Sequence, residues 1–248
     1  MVTLIVDART SEAVPQMYFM VPYEKNMYFV GQDELIDRIF DQFCESKQHQ
    51  CNHRIALYGM GGVGKTQTAL AYVHSLKQHY RSVFWISGVN QAALLSGFEQ
   101  IRIETRCAIA ASDPNETAKL VIKWLEDQMN WVLVIDNLDD IHVIDGFLPS
   151  TYCNGHTLIT TRNPSTEGIP AQGMEVEVLN IDTAVQLFRI LLKSGPESEF
   201  SEDESEIRNI VKELGFLPLA IEQAAAFIRE SKRPIDEYLP LYQENRST

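Results

Sequence analysis

No run of about 18 apolar residues occurs anywhere in this 248-residue chain, so no membrane-spanning helix is expected. The first sixteen residues, MVTLIVDARTSEAVPQ, lack the basic start of a secretory signal, and their apolar stretch stops at Asp7. Cysteine is scarce: Cys44, Cys51, Cys107 and Cys153 stand apart without CxxC spacing, and a chain of this size needs no disulfide staple. Reduced thiols and a soluble, cytoplasmic setting are the expectation. Basic clusters are also missing. With 21 Lys and Arg against 34 Asp and Glu, the formal charge is −13, which repels phosphate backbones and anionic lipid and argues against nucleic acid or a membrane as partner. There is no internal repeat, and residues 1–16 show no clear period.

What is present is ample material for a core, with 45% of residues hydrophobic and 22% charged. Ile36, Ile39, Phe40 and Phe43 recur at helical spacing after Asp33 and predict an amphipathic helix running toward Cys44. RIALYG (54–59) reads as a strand, and a helix opening at Lys65 places Ala69, Val73, Leu76 and Tyr80 on one face. SVFWISG (82–88) predicts a second buried strand, followed by helix around 90–107. Asp113, Pro114 and Glu116 form a helix start that should bury Val121, Trp124 and Leu125. WVLVID (131–136) and TLITTR (157–162) are apolar without polar alternation, as strands covered on both faces are. Trp85, Trp124 and Trp131 are read as core residues.

Beyond about residue 178 the strand signal stops. Ile181, Ala184, Val185, Phe188 and Leu191 define one helical face; Ile207, Ile210, Val211 and Leu214 a second; Ile221, Ala224, Ala225 and Ile228 a third. ESEFSEDESE (197–206) between them reads as a solvated acidic loop and helix start. The glycine-rich run GMGGVGKT (59–66) between the RIALYG strand and the helix at Lys65 has the pattern of a phosphate-binding loop, so the expected architecture is α/β, a parallel P-loop sheet with helices on both faces, followed by a small all-helical subdomain. The expected division is 1–27 as linker or remnant of a preceding region, 28–172 as the nucleotide-binding domain, and 173–248 as the helical subdomain.

The chemistry centres on GMGGVGKT, Gly59 to Thr66. Its glycines allow successive backbone N–H groups to converge on phosphate oxygens, and the helix that follows aims its positive end at the same anion. Gly61, Gly62, Val63 and Gly64 would form the cradle, Lys65 would bridge the terminal phosphates, and Gln67 would follow on the helix. The Thr66 hydroxyl and Asp136, delivered by the strand of VLVIDNLDD (132–140), would hold Mg²⁺. Asn137 stands where many NTPases carry an acid that polarises water, and an amide cannot take up that proton. Asp139 and Asp140 are expected to point elsewhere. Arg162 ends a buried strand at the same sheet edge, where its guanidinium could read a terminal phosphate or be an ordinary surface residue. Cys44, His49, Cys51 and His53 match no common zinc spacing, and His74 and His79 are read as packed or exposed rather than catalytic.

The order of these motifs resembles the NB-ARC family, the nucleotide-binding switch modules of apoptosome and NOD-like receptor proteins within the STAND ATPases. The resemblance spans roughly residues 28–244 and rests on FVGQDEL (29–35), GMGGVGKT, FWISG, VLVIDNLDD, LITTR and LGFLPLAIEQAAAFI (214–228), with details most like the fungal branch. It implies that Phe29 and Val30 border the adenine of bound ATP or ADP, that Arg162 is the sensor arginine, and that Pro218 touches the base from the helical side. It also implies an N-terminal effector, C-terminal sensor repeats, and an oligomer when the full-length protein is active. The Tyr28–Phe29 pair reads as either core or adenine wall. Gln32 replaces the arginine usual after FVG, and Asn137 replaces a second acid. The chain stops at Thr248, before the family's winged-helix subdomain, and is expected to be a monomeric fragment. The reading is a regulatory ATP/ADP switch that hydrolyses slowly. A nucleotide-binding scaffold without turnover, a P-loop kinase or transferase, and an AAA-type motor remain rivals.

Overall fold

The computed structural model describes residues 17–49, 54–165, 171–193 and 203–246. Its centre is a six-stranded sheet: β1 (Tyr18–Met20), β2 (Arg54–Tyr58), β3 (Ser82–Ser87), β4 (Met129–Asp136), β5 (Asn154–Thr161) and β6 (Gln172–Glu175). The spatial order is β1-β3-β4-β5-β2-β6, and every pairing is parallel. Parallel strands need crossovers, and helices α1 (Asp33–His49), α2 (Lys65–Ser75), α3 (Gln91–Thr105) and α4 (Pro114–Asp127) cover the two faces. On β4, Val132 and Val134 face one layer while Trp131, Leu133 and Ile135 face the other. The first pair joins Ile39, Phe43, Ala69 and Val73 from α1 and α2. The others join Leu94, Phe98, Val121 and Leu125 from α3 and α4. Full burial on both sides is why these strands lack polar alternation.

The sheet is wider than the sequence suggests. Tyr18–Met20 lies in the stretch expected to be linker, yet it pairs with Ser82–Phe84 as an edge strand. Gln172–Glu175 forms the other edge against Ile55–Tyr58 and straddles the expected boundary at 173. Edge strands of three and four residues, one of them QGME, leave too little pattern to read. Helix α2 ends at Ser75, and Tyr80, expected on its face, follows a 3₁₀ turn at Lys77–His79. Tyr80 is nevertheless buried, its hydroxyl 2.9 Å from His156 Nδ1 on β5. Asp113 caps α4 by accepting from the Asn115 N–H, with Pro114 in the first turn. Trp131 is fully buried, while Trp85 and Trp124 are half-buried against the two layers.

The helical unit comprises α5 (Ile181–Lys193), α6 (Glu204–Glu213), α7 (Pro218–Ser231) and α8 (Tyr238–Arg246). All the predicted facing residues except Ile181 are buried in one cluster of their own. Helix α8 has no counterpart in the sequence reading; its Tyr238 is buried in that cluster, with Leu239 and Tyr242 packed against it. Of the acidic run, residues 197–202 lie outside the described residues, and Asp203 caps α6 through the Ser205 N–H. Cys44 sits on α1, whereas Cys51 and His53 lie outside the described residues. His74 packs edge-on to Phe19 and His79 to Phe40, both at 5.2 Å. Among the described residues no helix is long and apolar enough to cross a membrane.

Candidate nucleotide site

The phosphate loop links β2 to α2 at the carboxyl edge of the sheet. Gly62 and Gly64 have φ of 81° and 103°, conformations that side-chain-bearing residues avoid, and Gly64 directly precedes the first residue of α2. A Cβ on Gly59 would approach the Val176 carbonyl to 2.7 Å, so a glycine is required there by neighbouring backbone as well as by φ. Lys65 turns back across the loop: its ammonium donates to the carbonyls of Gly59 at 2.9 Å and Met60 at 2.8 Å. An ammonium has three protons, so one donor remains for an anion held in the loop. Burial pushes the Lys65 pKa down, Asp139 and Asp136 oppose that shift, and Arg162 adds to it. All three charges therefore act on the same lysine.

Beside the loop, Asp136 Oδ1 accepts from the Thr66 hydroxyl at 2.8 Å and from the Thr160 hydroxyl at 2.6 Å. Thr160 Oγ1 in turn accepts from the Asn137 N–H at 2.8 Å. The end of β4 is thus locked to the end of β5 and to the first turn of α2. Asn137 lies in the left-handed region at φ 62°, where Asn is among the least strained non-glycine residues. That backbone demand is a reason for its identity which sequence pattern does not reveal. Asp139 does not turn away. It holds Arg162, accepting from the backbone N–H at 2.8 Å and pairing with Nε at 3.2 Å. Asp140, by contrast, caps the 3₁₀ turn at Ile141–Ile144.

A cleft opens from the loop toward the helical unit. Phe29, Val30, Val63, Gly64, Gln67 and Pro218 line it, together with Tyr28, an exposed wall residue rather than a core one, and with Asn26, Leu187 and Glu222, which sequence reasoning did not assign. The structure therefore brings the anticipated residues into two adjoining groups, which meet at Gly64. Lys65, Thr66, Asp136 and Arg162 lie around the loop, and Phe29, Val30, Gln67 and Pro218 around the cleft; Gly61 is exposed at the loop's tip. Helix α7 closes directly on the loop. The Leu219 N–H donates to the Gly62 carbonyl at 3.2 Å, the Leu219 side chain covers Gly62, and Pro218 stands over Gly64. The PLA turn carried this signal, but its partner lies more than 150 residues away in the chain.

Comparison with known proteins identifies the family and the fold. The NB-ARC domain matches over residues 32–195. A nucleotide-binding leucine-rich repeat (NLR)-like protein of Hyaloscypha variabilis is 30% identical over a 252-residue alignment covering 92% of this chain and 25% of that protein. Regulatory protein AfsR of Streptomyces griseus is 28% identical over 178 residues, 69% of this chain and 18% of that one. The chain thus spans a quarter or less of the length of these relatives. In fold it is similar to the crystal structure of Cdc6p from Pyrobaculum aerophilum, with a TM-score of 0.60 at 19% identity over 86% of this chain and 66% of that chain. Since the domain match runs from the start of α1 through the end of α5, across the whole loop and its aspartate strand, the chain belongs to the NB-ARC family.

Proposed function

We propose that the chain is an ATP/ADP-dependent regulatory switch, in which the nucleotide sets how the helical unit sits on the P-loop sheet. The contact between Leu219 and Gly62 carries this reading, because the residues that cradle phosphate also seat α7. A ligand moves such an equilibrium only by its differential affinity for the two arrangements, and a site built from both units provides that difference. The residues fit the expected groups. The glycine loop and Lys65 suit a polyphosphate, and the mostly apolar cleft beside it suits the base and ribose. Thr66 and Asp136 offer oxygen donors only, as Mg²⁺ prefers when phosphate oxygens complete its shell. When bound, the metal would neutralise phosphate charge. Arg162, steadied by Asp139, is proposed to sense the terminal phosphate. In the full-length protein the switch would connect an effector before it to sensor repeats after it and act in an oligomer.

Pro218→Gly should weaken ADP binding by about tenfold, because it removes a wall of the cleft and the preset φ of the first turn of α7. Since Pro218 stands over Gly64, its effect should reach the phosphate loop as well as the base. Amide exchange across residues 180–230, measured with and without ADP and Mg²⁺, should slow on binding in the unaltered chain and less so in the variant. Identical exchange with and without nucleotide would leave an ATP-binding domain with an uncoupled bundle.

Turnover should be slow, below about 1 per second, the low end for kinases. Asn137 can orient water but cannot act as its base. Asn137→Asp retains a side chain suited to the left-handed backbone and should release phosphate faster at saturating ATP. Faster wild-type turnover, or a slower variant of equal affinity, argues against this assignment. The same amide favours a second reading, a scaffold that binds without turnover; there neither protein would release phosphate.

A further inference from the structure

The segment between β1 and α1 runs along α2 into the cleft, and ring and hydrogen-bond contacts pin it on the way. Just before the segment begins, Phe19 on β1 has its ring centre 4.2 Å from the Lys77 ammonium, past the end of α2. Tyr23 packs edge-on to Trp85 at 5.9 Å, and its carbonyl lies 3.1 Å from His74 Nε2. The last anchor is Asn26. Its Oδ1 accepts from the Tyr28 N–H at 2.9 Å, its backbone carbonyl accepts from the Phe29 N–H at 3.4 Å, and its Nδ2 donates to Gln67 Oε1 at 2.9 Å. The first two bonds make a tight side-chain-closed turn that leads Tyr28, Phe29 and Val30 into the cleft. The third fastens that turn to α2 two residues beyond Lys65.

We propose that Asn26 is a positioning residue for the nucleotide base: its bond to Gln67 fixes the base wall at a set distance from the phosphate loop. This rests on the nucleotide reading above and adds to it how the two halves of the ligand are kept in register. An amide suits the position because it presents an acceptor to the turn and a donor to Gln67 at once. Serine could close the turn but would not reach across. Aspartate would close it equally well, and the Gln67 amide could then rotate to donate its Nε2. The effect should depend on whether the ligand has a base. ADP spans both halves of the site, whereas pyrophosphate needs only the loop.

Calorimetric titration of the whole chain with ADP and, separately, with pyrophosphate, both with Mg²⁺, tests this. Asn26→Ala should lower ADP affinity by about tenfold, as expected for two lost side-chain hydrogen bonds, and leave pyrophosphate within about twofold. Asn26→Asp should restore the ADP-to-pyrophosphate affinity ratio. Combining it with Gln67→Glu, which sets two carboxylates face to face, should lower the ratio again. ADP affinity unchanged in Asn26→Ala overturns the proposal, as does an equal fall for both ligands, which would mean general loosening of α2. If Asn26→Ala does not fold, the ratio in Asn26→Asp and in the double variant decides in the same way. Failure of the unaltered chain to bind ADP at all overturns the nucleotide reading and this inference with it, and that result needs no variant.

Discussion

Lys65→Ala should abolish the thermal stabilisation that ADP with Mg²⁺ confers on this chain. For the unaltered protein, ligand at about 100 times its dissociation constant adds roughly 2.7 kcal/mol, on the order of 5–10 °C in melting temperature for a chain of this length. The lysine is the strongest positive charge within the loop and retains one donor after bonding to the Gly59 and Met60 carbonyls. Alanine removes that charge and frees two carbonyls at a solvent-facing loop, where water can satisfy them, so the unliganded protein should lose on the order of 1 kcal/mol or less. The ligand-dependent shift and the baseline stability therefore separate in one experiment, a melting curve with and without ADP. Equal ADP shifts in variant and wild type would show that the anion binds somewhere other than this loop.

Gly155→Ala should be among the most destabilising single changes in the sheet. Gly155 on β5 pairs with Trp131 on β4, and a Cβ there would overlap the six-membered ring of the indole. The indole cannot retreat, since it is 1% exposed and packed among Phe98, Leu125 and Leu133. Overpacking of this kind costs about 1–3 kcal/mol, and more when the obstructing group is rigid. The denaturation midpoint should fall with little change in slope. Trp131→Phe in the same chain should recover much of the loss, because a smaller ring makes room and the buried Nε1, which has no hydrogen-bond partner, is removed with it. No recovery in the double variant would place the strain in the backbone near the irregular pairing at Met129–Trp131 rather than in the ring.

The parts of the molecule that were legible in sequence are those whose physics is local and repeated. β4 reads as a buried strand because five successive residues, Trp131–Ile135, are apolar and face two cores, and α4 because its cap, proline and apolar stripe all agree. The loop is legible because phosphate chemistry dictates glycine, lysine and threonine at fixed spacing. β1 and β6 were not, because a short edge strand owes its place to a neighbour rather than to its own pattern. The same holds inside the site. Lys65, Thr66 and Asp136 announce themselves, whereas Asn26 is an unremarked loop residue until the fold places it against Gln67, 41 positions later. Asp139 shows the reverse error: counting along the chain past the end of β4 suggested that it points elsewhere, but the chain turns at Asn137 and returns it to Arg162.

Helix α7 rests on the phosphate loop by its first turn alone, and this makes it a lever. Its 14 residues span about 21 Å, so pivoting by ~10° about Pro218 would carry Ser231 through ~4 Å while the loop itself shifts by a fraction of an ångström. Buried Ile221, Ala224, Ala225 and Ile228 tie the shaft to α5 and α6, so those helices would move with it. A sub-ångström shift at the loop would thus emerge at the far end of the bundle as a step comparable to the spacing between neighbouring side chains, large enough to exchange one set of surface contacts for another.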